Sequence, residues 1–261
     1  MLTRLLHRHA RRFIDVFVDT LMTRARLHEL HPHTLMLRQA QAEAAEYARS
    51  QMAGAMVFQS QRDILVYALK KAALKGLTLE FGVAEGVSIG TIARAVEGAV
   101  HGFDSFEGLP EDWPGRHEPQ GAYSRAGSPP KVPKNVTLHQ GWFEATLPAF
   151  LKTHEGPVSF LHVDCDLYRS TKTVLDLLSD RIVPGTVIVF DEYFNYLSWR
   201  DHEFKAFHEF VNARGVRYTY VAWAYQQAAV LITGVSPAPS PTAERSGCEA
   251  LKGPAAYADH A

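Results

Sequence analysis

Residues 79–93 read LEFGVAEGVSIGTIA. Leu77 to Val83 forms a short apolar strand. Gly86-Val87-Ser88 then opens a helix with Ile89, Ile92, Ala93 and Val96 on one face. A strand that passes through a glycine turn into a helix is the start of a βαβ unit. Gly82 lets the chain turn sharply, and Gly86 lets a ligand approach the backbone. Ser88 is placed to cap the helix or to meet a ligand carboxylate at its positive end.

The same alternation continues on the C-terminal side. Ala99 to Phe103 is a second strand, followed by Asp104, and Asn135 to His139 is a third. Val158 to Val163 is a fourth, followed by Asp164. Gly185 to Phe190 is a fifth, followed by Asp191-Glu192. Helices carrying Val174, Leu175, Leu177 and Leu178, and then Phe204 to Val211, lie after the fourth and fifth strands. Tyr218 to Trp223 and Ala228 to Thr233 close the pattern as an antiparallel pair. This order predicts an α/β fold: a Rossmann-like, doubly wound, seven-stranded, mostly parallel sheet with an N-terminal helical extension. Ligands bind such sheets outside the carboxyl ends of the strands, where three of these strands place carboxylates.

The chain divides into residues 1–60, a helical extension for a lid or for dimerisation, residues 61–235, the catalytic domain, and residues 236–261, a disordered tail rich in Pro, Ala and Ser. His31-Pro32-His33 breaks the first helix from the second, and a further helix runs from about Gln59 to Leu74. Phe13, Phe17 and Leu21 recur every four residues, which marks an amphipathic helix packed on the domain or on a second subunit, so a homodimer is expected. Asp15 and Asp19 interrupt what would otherwise be the apolar part of a targeting peptide. Residues 108–134 hold six prolines and no helical period, which predicts a lid or a locally disordered loop. At 46% hydrophobic residues the chain is too apolar to be disordered, and a net charge of −1 argues against a dedicated nucleic-acid binder. No run reaches the length of a membrane span, so no membrane partner is expected. The two cysteines, Cys165 and Cys248, form no disulfide framework and fit a reducing, cytoplasmic setting.

The glycine turn suits an adenosine cofactor. It lacks the Gly-Lys-Ser/Thr of a phosphate-binding loop, and Ala84 stands where a dinucleotide site has its second glycine. Glu85 would add negative charge beside a pyrophosphate. S-adenosylmethionine (SAM) has no phosphate and carries two cationic groups, so it tolerates Glu80 and Glu85. Asp104 ends the second strand, where a carboxylate accepts hydrogen bonds from both ribose hydroxyls of either NAD or SAM. The segments LHVDCDLYRST (161–171) and IVFDEYFNY (188–196) place Asp164 and Asp191 on neighbouring strand ends, with Glu192 beside them. Three carboxylates in one spot repel each other unless a cation joins them, and oxygen ligands suit Mg²⁺ or Mn²⁺. His162 and Asp166 share the strand face of Asp164 if that strand is regular, and His162 reads as a packed histidine rather than a base.

LEFGVAEGVS, GFDSFEGLPEDW, GWFEATLP, HVDCDLYRST and FDEYFNY, in this order over about residues 79–233, resemble the metal-dependent class I SAM-dependent O-methyltransferases. Within these, the likeness is to the macrocin (TylF/MycF-type) sugar O-methyltransferase family. The E-x-G-x-x-x-G-x-S spacing is also similar to catechol and caffeoyl-CoA O-methyltransferases. The resemblance implies that Glu80, Gly82, Gly86 and Ser88 cradle the methionine part of SAM. Asp104 would hold the ribose, Ser105 and Trp142 the adenine, and Asp164, Asp191 and Glu192 the metal. Glu192 departs from the family's Asp-Asp pair. The catalytic Lys of the catechol-type enzymes has no counterpart, because Leu167 stands at that position.

The reaction implied is methyl transfer from SAM to a hydroxyl of a small molecule: a sugar, a glycoside or a polyphenol, as in natural-product biosynthesis. Asp164, or His202 or Glu203 beyond the fifth strand, would take the hydroxyl proton. Tyr47, Met52, Met56, Phe106 and Trp199 offer apolar walls for the acceptor. An NAD-dependent oxidoreductase and a SAM-binding protein without transferase activity are the alternative readings.

Overall fold

The computed structural model describes residues 2–236, with side chains from Arg11 onward. The expected tail beyond Ser236, and Cys248 with it, lies outside the described residues. Helix α1 (Leu2–Leu30) stops where His31-Pro32-His33 intervenes, and α2 (Pro32–Gln51) starts with Pro32 in its first turn. The His31 ring caps α2 by accepting the His33 N–H at 3.1 Å. A two-residue strand, β1 (Met56–Val57), precedes α3 (Gln61–Lys71). Ser60 starts α3 reciprocally: its Oγ accepts the Asp63 N–H and donates to the Asp63 carboxylate.

The wound sheet follows: β2 (Leu77–Phe81), α4 (Val87–Ala95), β3 (Val100–Asp104), β4 (Val136–Gln140), α5 (Phe143–Leu151), β5 (Val158–Val163), α6 (Tyr168–Leu177), β6 (Val187–Phe190), α7 (Glu203–Arg214), β7 (Val216–Trp223) and β8 (Ala228–Val235). The strand order is β1-β7-β8-β6-β5-β2-β3-β4, with only β8 antiparallel to its neighbours. The expected doubly wound sheet is present, with eight strands rather than seven. The added strand pairs Met56 and Val57 in parallel with Ala222 and Trp223. Helix α5 is the other addition: its nine residues contain Pro148, which breaks the sequence signal for a helix.

Each strand shows its alternate residues to opposite faces. Leu79, Phe81, Leu161, Val163 and Phe190 pack on one face with α5, α6, α7 and the Ala40, Ala44 and Ala48 side of α2. Val100, Phe160, Val187 and Val189 pack on the other with Ile64, Leu65 and Ala68 of α3 and Ile89, Ile92 and Ala93 of α4. From β2 the chain winds outward through β3 and β4, then returns to place β5 on the other side of β2. The switch point therefore lies between β2 and β5, and Gly82 and Asp164 sit just beyond their ends.

Helix α1 does not lie on the domain. Phe13 is 72% exposed, and Phe17, Leu21 and Met22 of the same stripe are exposed too. Among the described residues, no helix is long and apolar enough to cross a membrane.

Three histidines gather at the β4 edge. His101 Nδ1 lies 3.2 Å from His139 Nε2, and His154 packs edge-on against the His101 ring. Burial, then repulsion from the other two rings, lowers the His101 pKa to about 4. A histidine lowered in the folded state contributes stability above its ordinary pKa and loses it as pH falls towards the folded value. Acidification from pH 6.5 to pH 4.5 is expected to remove about 1–2 kcal/mol through this group. Urea unfolding across that range should show the loss, and H101F should flatten it.

Candidate active site

At the switch point a cavity of about 290 Å³ is lined by Gly82, Asp104, Ser105, Trp142, Asp164 and Glu192 among others. Six residues expected from the sequence thus share one cavity. Its outer wall is the proline-rich loop, through Gly108 to Glu111 and Tyr123. That loop is not locally disordered. Leu109 exchanges backbone hydrogen bonds with Ala122 and Gly121, and Trp113 N–H donates to Glu118. Trp113 is buried against Tyr196 and His202, with the Arg116 guanidinium 4.5 Å over its ring.

Gly82 has φ +86°, and a Cβ there would fall 1.6 Å from the Asp164 carbonyl oxygen. Only glycine allows β2 and β5 to stay this close where they leave the sheet. Gly86 also has positive φ, but what approaches its Cα is the Pro130 ring, at 3.2 Å from an added Cβ. It accommodates the loop rather than lining the cavity.

Asp104 is fixed by the turn opposite it. Its Oδ2 accepts the N–H groups of Val83 and Ala84, both at 2.8 Å, and Oδ1 accepts that of Phe106 at 2.7 Å. Oδ2 is therefore saturated and Oδ1 keeps one lone pair, so the carboxylate can take one further hydroxyl rather than two. Ser105 Oγ accepts the Glu107 N–H. Trp142, 37% exposed, stands at the start of α5 and forms the opposite side of the cavity.

Glu80 and Ser88 lie elsewhere. Strand alternation turns Glu80 to the α3–α4 face, where it is fully buried. Ser88 points inward and donates to Glu80 Oε1 at 2.9 Å, so it neither caps α4 nor reaches the cavity. Glu80 Oε2 lies 3.3 Å from His162 Nδ1, and His162 Nε2 lies 3.7 Å from Asp191 Oδ1. Gln61 Nε2 also donates to Asp191 Oδ1, at 2.6 Å. Burial alone would lower the His162 pKa, but Asp191 and Glu80 outweigh it and raise it well above the usual value. His162 thus holds a proton more tightly than a free histidine, between Asp191 and a Glu80 whose own pKa burial raises. Burial would raise Asp191, yet its partners His162 and Gln61 hold it below the ordinary range.

The expected trio of Asp164, Asp191 and Glu192 separates into two sets that share Asp164. One is His162, Asp164 and Asp191; the other is Asp164, Asp166 and Glu192. Within each, ligand atoms lie within 4.8 Å of one another. The two sets still touch, because the Asp191 and Glu192 carboxyls approach each other closely enough to share a hydrogen bond. Asp166 reaches the second set because its φ of +64° turns the chain after β5. Glu203, fully buried at the start of α7, fixes Glu192 by accepting its N–H at 3.0 Å. Burial, reinforced by Asp191, raises the pKa values of Asp164 and Glu192; burial and Asp166 raise that of Glu203. Burial brings Asp166 to about 7 despite its hydrogen bond with Glu192. Glu192 Oε2 and Glu203 Oε1 are buried without a partner.

His202 is not at the cavity. Its Nε2 faces the Pro114 carbonyl at 3.3 Å, and burial lowers its pKa, so it is a neutral ring that pins the loop. Tyr47 and Trp199 pack on each other and Phe106 is buried in the core, so these three expected wall residues do not face this cavity.

Comparison with known proteins bears on the fold that carries this site. Residues 79–193 match the family profile described as "Methyltransferase domain". CalS11, titled a calicheamicin methyltransferase, superposes with a TM-score of 0.53 at 19% identity over 77% of this chain and 93% of its own. The O-methyltransferase NovP gives 0.51 at 20% identity over 66% of this chain and 79% of its own. The chain has the class I methyltransferase fold. At these identities the likeness to the solved structures is one of fold. No curated protein sequence matches. In this methyltransferase fold, the profile match begins at the glycine turn and ends just past Glu192, so it spans both ends of the candidate site.

Proposed function

We propose that the protein is a SAM-dependent O-methyltransferase that moves a methyl group to a hydroxyl of a small molecule, a sugar or another natural product. The observation that carries this reading is the joining, in one cavity, of a fixed strand-end carboxylate, Asp104, with the acidic group Asp164, Asp166 and Glu192. Asp104 holds one ribose hydroxyl through its free Oδ1 lone pair. Trp142 covers the adenine, and Gly82 lets the methionine end reach the strand ends. The likeness to a calicheamicin methyltransferase supports a natural-product acceptor, and the macrocin-type sequence elements support a sugar hydroxyl.

The oxygen donors fit a hard divalent cation, since Glu192 Oε2 is buried without a partner and the three carboxylates oppose each other's ionisation. Asp164, Asp166 and Glu192 would hold it, rather than the Asp164, Asp191 and Glu192 implied by the resemblance. Such a cation lowers the pKa of a bound hydroxyl and orients its oxygen. Asp191 instead stays with His162 and Gln61, and Glu203 orients Glu192 through its backbone N–H. Asp166, grouped with Asp164 and Glu192 on that side of the cavity, takes the hydroxyl proton in place of the earlier candidates Asp164 and His202. The exposed stripe of α1 meets the same helix of a second copy. Light scattering should report a dimer that becomes a monomer when residues 1–30 are removed.

Titration calorimetry with SAM, its demethylated product and NAD tests the cofactor. SAM binding without NAD binding is expected, and the reverse would overturn the reading. W142A should weaken SAM about tenfold with an unchanged melting temperature, because the ring is partly exposed and faces the cavity.

A further inference from the structure

A second cavity, of about 730 Å³, opens between α2 and the end of β7. One wall is the small-residue side of α2, including Ala45 and Ala48. The facing wall is aromatic: Phe58, Phe194, Trp223 and Tyr225. The volume lies within the range of pockets that enclose a small molecule. Its one charged lining residue, Arg49, is already engaged by Glu46 through two hydrogen bonds of 2.8 and 2.6 Å. Among the described residues no other charge lines the cleft, which favours an uncharged occupant.

The cleft borders the reaction site along one stretch of chain. Glu192 lines the first cavity and Phe194 the second, so at most about 7 Å separates their backbones. An acceptor with a reactive hydroxyl at one end and a flat apolar body at the other would meet both surfaces at once.

We infer that the cleft between α2 and the end of β7 binds the uncharged aromatic body of the acceptor, while its hydroxyl reaches the carboxylates; this rests on the O-methyltransferase reading. The protein therefore discriminates for glycosides or phenols that carry a planar ring system and against bare sugars. The aromatic wall supplies stacking and the alanines of α2 leave room for the ring. The amides of Gln41 and Gln59 at the rim remain able to meet polar substituents.

The test compares 4-methylumbelliferyl β-D-glucoside with methyl β-D-glucoside, which share a sugar and differ in the flat ring. Equilibrium binding to the full chain is followed by fluorescence for the first and saturation-transfer NMR for both, alongside calorimetry with SAM. The aryl glucoside is expected to bind at least tenfold tighter. A45W, which places an indole in the cleft from an exposed helix position, should remove that preference and leave SAM binding unchanged. Y225A, at a residue 64% exposed, should reduce it without affecting folding. Equal affinity for the two glucosides overturns the inference. So does an aryl preference that survives A45W, or an A45W variant that loses a dimer in light scattering while the wild type binds no aryl glucoside. Loss of SAM binding in the wild type with the aryl preference intact would instead overturn the methyltransferase reading alone.

Discussion

G82A is expected to unfold the switch point, with a loss of about 4 kcal/mol or more and no measurable SAM binding. Two costs add at this position. A side chain at φ +86° pays about 1–2 kcal/mol of backbone strain. The larger cost is the Cβ placed 1.6 Å from the Asp164 carbonyl oxygen, which belongs to backbone and cannot rotate away. Relief requires β2 and β5 to part where Asp164 N–H donates to the Phe81 carbonyl at 2.9 Å. That movement carries Asp164 away from Gly82 and Asp104, with which it lines the cavity. G86A is the control. Its φ of +79° imposes similar strain, but its nearest contact is a proline ring at 3.2 Å in a surface loop. It should lose only about 1–2 kcal/mol and keep SAM binding. Chemical denaturation with calorimetry on both variants checks the contrast. Equal losses for the two would show that backbone strain, and not the close approach of the strands, makes Gly82 necessary.

The difference between these glycines shows how far the sequence could be read. The strand–turn–helix at 79–93 and the acidic strand ends are local patterns, since hydrophobic alternation and strand-end polarity are written in adjacent residues. They were enough to place the sheet, the switch point and the cavity residues Gly82, Asp104, Ser105, Trp142, Asp164 and Glu192. Face assignment beyond a strand end is not local. Glu80 and Ser88 read as cofactor contacts because they flank the turn, yet the alternation of β2 commits Glu80 to the buried face, where His162 awaits it. Asp166 reads as an ordinary successor of Asp164 until the left-handed turn at that residue brings it to Glu192. His202 follows the fifth strand closely enough to suggest a base, but the loop that covers its ring comes from residues 113–116, far away in sequence. Two residues of β1 and a proline-bearing α5 fall below any periodic signal.

The two acidic sets can be separated by stability rather than turnover. Asp164, Glu192 and Glu203 have folded-state pKa values above the ordinary carboxyl range, and Asp166 stands at about 7. The sign follows from proton binding: a carboxyl raised in the folded state contributes stability below its unfolded pKa, and loses it as pH rises through the folded value. The metal-free protein is therefore expected to weaken between about pH 4 and pH 8 through this group. Mg²⁺ or Mn²⁺ should reverse that loss, because it favours the ionised form that protons otherwise suppress. At a concentration one hundred times its dissociation constant, the cation would add about 2.7 kcal/mol, or roughly 5–10 °C in melting temperature for a chain of this size. At pH 5 the shift should fall below half, and a chelator should abolish it at either pH. E192Q and D166N are expected to raise the melting temperature of the metal-free protein at pH 8 and to remove the metal-induced shift. D191N should do the opposite. It leaves the buried His162 ring with Glu80 alone, which costs about 3 kcal/mol, and it retains most of the shift. A metal-induced shift that survives D166N but vanishes in D191N would move the cation to the set formed by His162, Asp164 and Asp191; loss of the shift in both D191N and E192Q, with D166N unaffected, would instead restore the ligand set that the sequence resemblance implies.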